Sequence, residues 1–318
     1  MRVDFYRHDL RPSDAERVAK VLATPFLTTG QVSRGVEGQL RQYFGVPHAC
    51  LVNSWTNGAL AVLLAMELQP EDEVIVPAMT FIASANVVEL AGAKVVFADV
   101  EPDSLLLTPE IVAKHVTERT RAVMPVHIYG QLCDVEGIRR TIDHHPKRSG
   151  QVRIIEDAAH CFEGEYRGDK PGRFGDVTAS ARRPTCQTSW RPCCLPRSMA
   201  IFSFYAFGNG PLRLVREVPE TKSAEHIFTI GVPNGKRDEA IAALNAAGIH
   251  VAVNFRSVPG TRYYTQKYPQ ALGECPNAGL WGSQTLTLPM YPSLTREEQD
   301  YVIKVVREQV YPLAGPSS

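Results

Sequence analysis

This chain lacks a dominant charge: 34 basic side chains face 34 acidic ones over 318 residues. That balance excludes a broad electrostatic surface for nucleic acid or an anionic membrane. It also lacks any apolar run near the ~20 residues that cross a bilayer. The opening stretch MRVDFYRHDLRPSD has no apolar signal core, so a cytoplasmic location is expected. Cysteine is sparse and irregular. There are seven, and Cys186, Cys193 and Cys194 crowd one short stretch. An odd, unevenly spaced set is no disulfide framework and points to a reducing compartment. A C-x6-CC spacing without nearby histidines is a poor zinc site, so no metal is expected.

What is present is a regular alternation. At roughly 150 residues per domain, the length suggests two domains. From Pro47 onward, short apolar strands alternate with helical stretches: HACLVN (48–53), EVIVP (73–77), KVVFADV (94–100), RAVMPVHI (121–128) and VRIIEDAA (152–159). Continuous Val/Ile runs mark strands buried on both faces, as in a parallel sheet flanked by helices. The expected architecture is α/β, a doubly wound, mostly parallel sheet over residues 1–176, with a smaller α+β domain over 211–318. In the second unit, HIFTIGV and HVAVNF read as strands, KRDEAIAALNAAG as a helix and TREEQDYVIKVVREQV as a closing helix. Thr295 and Glu298 form a capping-box signature before that last helix. Residues 177–210 fit neither unit. The stretch 177–198 holds three Cys, four Arg, three Pro and a Trp, with no helical or strand period.

Ligands of open α/β sheets sit beyond the carboxyl ends of the strands. After the first run comes NSWTNGA, with Ser54, Thr56 and Asn57 at a helix start, where free N–H groups favour a phosphate or serve as an ordinary cap. After the second comes Phe81, a ring for stacking on a flat ligand or a core aromatic. After the fifth comes EDAAH, with Glu156, Asp157 and His160. A carboxylate at the end of a buried strand is costly without a partner, and a protonated pyridine nitrogen is one such partner. The rival reading of Asp157 is a helix N-cap. His127 ends another strand, where substrate contact and packing are equally open. Phosphate cap, stacking ring and pyridinium partner together make the set that pyridoxal 5'-phosphate (PLP) requires.

Longer motifs add a resemblance. LTTGQVSRGVE (27–37), NSWTNGAL (53–60), EDEVIVPAMTFIASAN (71–86), VEPDSLLLTPE (100–110), AVMPVHIYGQ (122–131), EDAAHCFEG (156–164) and GRFGDV (172–177) occur in this order. The series resembles the nucleotide-sugar aminotransferases of the DegT/StrS type, PLP-dependent enzymes of fold type I. The resemblance implies that Thr56 and Asn57 hold the cofactor phosphate. It places Phe81 against the ring, Asp157 at the pyridine nitrogen and His160 close by. It also implies a nucleotide-linked keto sugar as substrate, an amino donor such as glutamate, a homodimer, and a role in amino-sugar and polysaccharide biosynthesis.

One element of the family pattern is absent. Its reactive lysine follows FGD, yet no lysine lies between Lys170 and Lys222. The partial match IFSFYAFGNG (201–210) puts Ser203 on a phosphate-contacting serine and Gly208 at the lysine position; the glycine-rich stretch that should follow is missing. The implied activity is therefore impaired, with a non-catalytic truncated relative as the alternative. A lysine-free sugar dehydratase would need a histidine at Gly208, and none lies between His160 and His226. Back-translating TCQTSWRPCCL and reading two bases later gives [MLV][PS][DN][FLIV][LMV]A[TPSA][LMV]L, which resembles the family's NMxDIxAAL helix. An internal deletion with a local frame slip accounts for both oddities. Sequencing the gene across codons 177–210 decides it: an intact lysine codon in a corrected frame confirms a sequence error, and its absence leaves a real truncation.

Overall fold

The computed structural model describes residues 1–27, 30–180, 207 and 210–315. The first half contributes strands β1 (Glu73–Pro77), β2 (Lys94–Ala98), β3 (Thr120–Val123), β4 (Arg153–Asp157), the two-residue β5 (Glu165–Tyr166) and β6 (Val177–Ala179). All but β5 form one sheet in the order β2-β1-β3-β4-β6, with every pairing parallel. Every residue of β1 is buried, as expected for a central strand covered on both faces. Helices α1 (Pro12–Leu22), α2 (Gln31–Phe44), α3 (Trp55–Ala65), α4 (Ala83–Leu90), α5 (Pro109–His115) and α6 (Val135–Asp143) accompany these strands. Thr108 caps α5 by accepting from the Ile111 N–H at 3.3 Å, and Asp134 caps α6 through the Gly137 N–H at 2.9 Å. The mixed α/β architecture with a parallel central sheet is the one the sequence pattern implies.

Some expected elements differ. The run 48–53 forms no strand among the described residues; Leu51 and Val52 are exposed, and the Leu51 N–H is taken by the Glu37 carboxylate at 2.9 Å. A four-residue apolar run becomes a strand only where a neighbouring ladder accepts it. The strand expected over 121–128 stops at Val123 because Pro125 has no N–H to donate. The chain stays extended beyond it, and Val126 bridges to Asp157. Val177–Ala179, inside the stretch that looks irregular in sequence, extends the sheet by pairing with Ile155–Asp157.

The second half holds β7 (Arg213–Leu214), β8 (Thr221–Lys222), β9 (Phe228–Gly231) and β10 (Thr285–Leu288). A three-stranded antiparallel sheet runs β10-β9-β7, and β8 pairs with β5. The stretch HVAVNF makes only an isolated bridge, Ala252 to Thr287. The two apolar cores do not follow the chain linearly. Val3 joins the C-terminal core with Phe207, Ile230 and Val302, while Val258, Tyr264 and Trp281 pack into the core of the parallel sheet. The closing helix begins as its signature implies: the Thr295 hydroxyl accepts from the Glu298 N–H at 3.2 Å, and the Glu298 carboxylate accepts from the Thr295 N–H at 2.9 Å. Thr295→Ala removes half of that box and is expected to cost about 1 kcal/mol. A urea midpoint unchanged by this substitution would show that the cap contributes nothing.

Candidate active site

The site is built outward from the last residue of β4. Asp157 is 5% exposed, and its main chain is locked between two neighbours: its N–H donates to the Pro125 carbonyl and its carbonyl accepts from the His127 N–H, each at 2.9 Å. Its side chain points beyond the strand end. The Ser84 hydroxyl donates to Oδ2 at 3.1 Å, and the Ala159 N–H donates to Oδ1 at 3.1 Å. Thr80, just before α4, and Ser84 lie four residues apart with their hydroxyls at 2.9 Å. With Ser84 committed to the carboxylate, Thr80 donates to it, giving a directed chain of hydroxyls. Burial pushes the Asp157 carboxyl up to about 6, opposed by the Ala159 N–H and by Ser84. A carboxyl so placed gains from a cationic partner, and a pyridinium N–H is one.

The other expected features converge on this carboxylate. Ser84 lies on α4, whose first turn follows Phe81, so the bond to Asp157 ties the helix after Phe81 to the strand end. Trp55, the first residue of α3, donates its indole N–H to the Ala179 carbonyl at 3.2 Å, and Ala179 is the register partner of Asp157 on β6. The N-terminus of α3 is thereby held at the same sheet edge. There Ser54 accepts from the Asn57 N–H at 3.2 Å, and the Asn57 amide donates to Asn53 at 2.9 Å. The Ser54 hydroxyl is engaged as the cap and the Asn57 amide with Asn53, whereas the Thr56 hydroxyl is committed to no partner among the described residues. Main-chain N–H groups and the helix dipole at this terminus suit a phosphate.

His160 sits one turn beyond Asp157. Its Nδ1 accepts from the Tyr129 N–H at 3.3 Å. Its ring stacks on His226 at 4.3 Å and on Phe255 at 5.5 Å. Phe81 is 54% exposed and touches the same Phe255 at 5.6 Å. His127 and Glu156, by contrast, work inside the fold. Both are buried and joined at 2.9 Å. Burial disfavours charge on the imidazole while Cys133 and Glu156 favour it. The Cys133 N–H aimed at Nδ1 at 3.1 Å leaves Nε2 as the donor to Glu156. Glu156 also accepts the Gly172 and Gly175 N–H groups at 3.1 and 2.8 Å, so it pins the GRFGD loop. His127 thus packs rather than facing a ligand, and no group of metal-ligating side chains occurs among the described residues. Ser203 and Gly208 lie outside the described residues.

Sequence patterns gave no lead to Trp55, Ser84, Phe255 or His226. The Thr80/Ser84 spacing of four was a usable signal once α4 was assigned. The other three reach the site only through tertiary contacts.

A family model matches residues 8–185 and 204–307. The chain belongs to the DegT/DnrJ/EryC1/StrS aminotransferase family. PLP is the cofactor of these aminotransferases. The match skips 186–203, inside the irregular stretch. Among solved structures, the chain is similar to a candidate sugar aminotransferase, Spr1654 of Streptococcus pneumoniae, in its PLP form (22% identity, TM-score 0.85, 99% of each chain). It is also similar to DesV of S. venezuelae in complex with a ketimine intermediate (26%, 0.83, 94% of this chain and 95% of that one). A third is Helicobacter pylori PseC, an aminotransferase involved in pseudoaminic acid biosynthesis (18%, 0.87, 98% and 99%).

The residues present fit the cofactor's ring nitrogen and phosphate, while the stretch between Lys170 and Lys222 holds no lysine for its aldehyde. The Asp157 carboxyl yields a pH test. Its folded value near 6 exceeds the unfolded value of about 3.9, so the native state holds the extra proton in between. Its cost to stability therefore grows as pH rises from about 4 and is complete above about 6. Without cofactor, Asp157→Asn is expected to gain about 2 to 3 kcal/mol relative to the parent on going from pH 4 to pH 7.5. A parent-to-variant difference in Tm that does not change with pH would contradict this.

Proposed function

We propose that this chain is, by descent, a PLP-dependent aminotransferase of nucleotide-linked keto sugars, and that its pocket holds the cofactor without a covalent bond. The observation that carries the reading is the convergence on Asp157 of the α3 N-terminus, through Trp55, and of the α4 start, through Ser84. When bound, pyridoxal phosphate supplies a carbonyl that exchanges with amines and a ring that draws off electrons. Asp157 keeps the ring nitrogen protonated, α3 receives the phosphate at Thr56 and Asn57, and His160 borders the ring. The donor is an amino acid such as glutamate, and the setting is amino-sugar biosynthesis.

The missing lysine sets the level of activity. A positioned amine both anchors the cofactor and carries the proton, and losing a positioned acid–base group alone costs about 10²- to 10⁴-fold. The interruption of the family match at 186–203 also favours a second reading, a non-catalytic relative that keeps the fold. Gly208 disfavours a dehydratase that uses histidine at that position. A homodimer is supported by the apolar side chains left exposed at Phe26, Leu27, Val32, Leu51, Val52 and Leu64. No described helix is long and apolar enough to cross a membrane, which accords with a cytoplasmic setting.

Borohydride reduction of the protein with pyridoxal phosphate, followed by peptide mass mapping, tests the central point. No stoichiometric adduct at a single lysine is expected, and gel filtration should strip the visible absorbance. One lysine carrying a full equivalent of cofactor would show that another amine serves, and would overturn the non-covalent reading.

A further inference from the structure

Phe81, although 54% exposed, and His160 share one aromatic neighbour: both touch Phe255. Its ring centroid lies 5.6 Å from that of Phe81, tilted by 50°, and 5.5 Å from that of His160, nearly parallel at 22°. Both separations fall within the 4.5–7 Å range of favourable aromatic pairs. The main chain that carries this ring is fixed on both sides. The Asn254 carbonyl accepts from the Tyr129 and Thr285 hydroxyls, and the Val258 N–H donates to the Ala78 carbonyl at 2.9 Å, just past the end of β1. The freedom left to Phe255 is therefore in its side chain. The ring is partly buried and packs against the core of the parallel sheet, though it comes from the C-terminal half of the chain.

We propose that Phe255 is a positioning residue that competes with the cofactor ring for the gap between Phe81 and His160. A flat pyridine stacked on Phe81 and bordered by His160 would lie within reach of the Phe255 ring, which already contacts both. Binding then requires the Phe255 ring to swing aside and give up two aromatic contacts. In a chain with no lysine to trap the cofactor covalently, this competition sets the affinity. The inference rests on the pocket assignment made above, and the experiment separates the two.

Pyridoxamine phosphate is the probe, because it has no aldehyde to react with surface lysines. Equilibrium dialysis of the full chain measures its Kd for the parent, Phe255→Ala, Phe255→Leu and Asp157→Asn, with thermal melts to establish that each variant folds. Removing the ring should tighten binding about tenfold in Phe255→Ala, on the scale of two aromatic pairs, and by a smaller factor in Phe255→Leu. Asp157→Asn should weaken binding. Unchanged or weaker binding by folded Phe255→Ala and Phe255→Leu, with the Asp157 effect intact, overturns the competition and leaves the pocket assignment standing. Binding that does not respond to Asp157→Asn overturns both.

Discussion

A carboxylate at the end of a buried strand is the constraint on which this site depends. Asp157 has lost most of its water, and two hydrogen bonds, from Ser84 and Ala159, only partly replace it. A buried acid short of partners is expensive to keep. A cationic ring nitrogen would relieve that cost. The rest of the site follows from the same point. The hydroxyl that donates to Asp157 begins the helix after Phe81, and the indole beside it begins the helix that offers N–H groups to a phosphate. Anchoring at one strand end thus sets the relative positions of three elements distant in sequence.

A second buried network makes that anchor rigid. Glu156 neighbours Asp157 on the strand but points to the other face of the sheet. It gathers His127 and the glycine N–H groups of the following loop. Adjacent acids on one strand differ in their partners: Glu156 holds the scaffold, and Asp157 is the one proposed to meet the ring nitrogen. Period-two alternation of side chains explains why neighbours can do this.

On the proposed function, binding and chemistry separate in this chain. The residues proposed to meet the phosphate and the ring nitrogen, Thr56, Asn57 and Asp157, lie outside the irregular stretch. The covalent anchor depends on one side chain, and the stretch where the family carries it holds none. The family match breaks off within the same region, over 186–203. A fold whose core lies in the parallel sheet and in a separate C-terminal cluster tolerates such an interruption, since the described core side chains flank it on either side.

Sequence by itself determined the parallel sheet and the helix cap at Thr295, and it raised the roles proposed for Thr56, Asn57, Phe81 and Asp157. These are encoded locally, in Val/Ile runs, cap spacings and short motifs. It misjudged 48–53 as a strand and 177–179 as irregular, because a strand is a property of its partner as well as of its own residues. It left His127 open between substrate and packing, because only neighbours from other elements settle where a ring points. Tertiary structure alone brought Trp55 to Ala179, Ser84 to Asp157, and Phe255 against both Phe81 and His160. Those contacts join residues up to 174 positions apart, and no local pattern carries information about a partner at that distance.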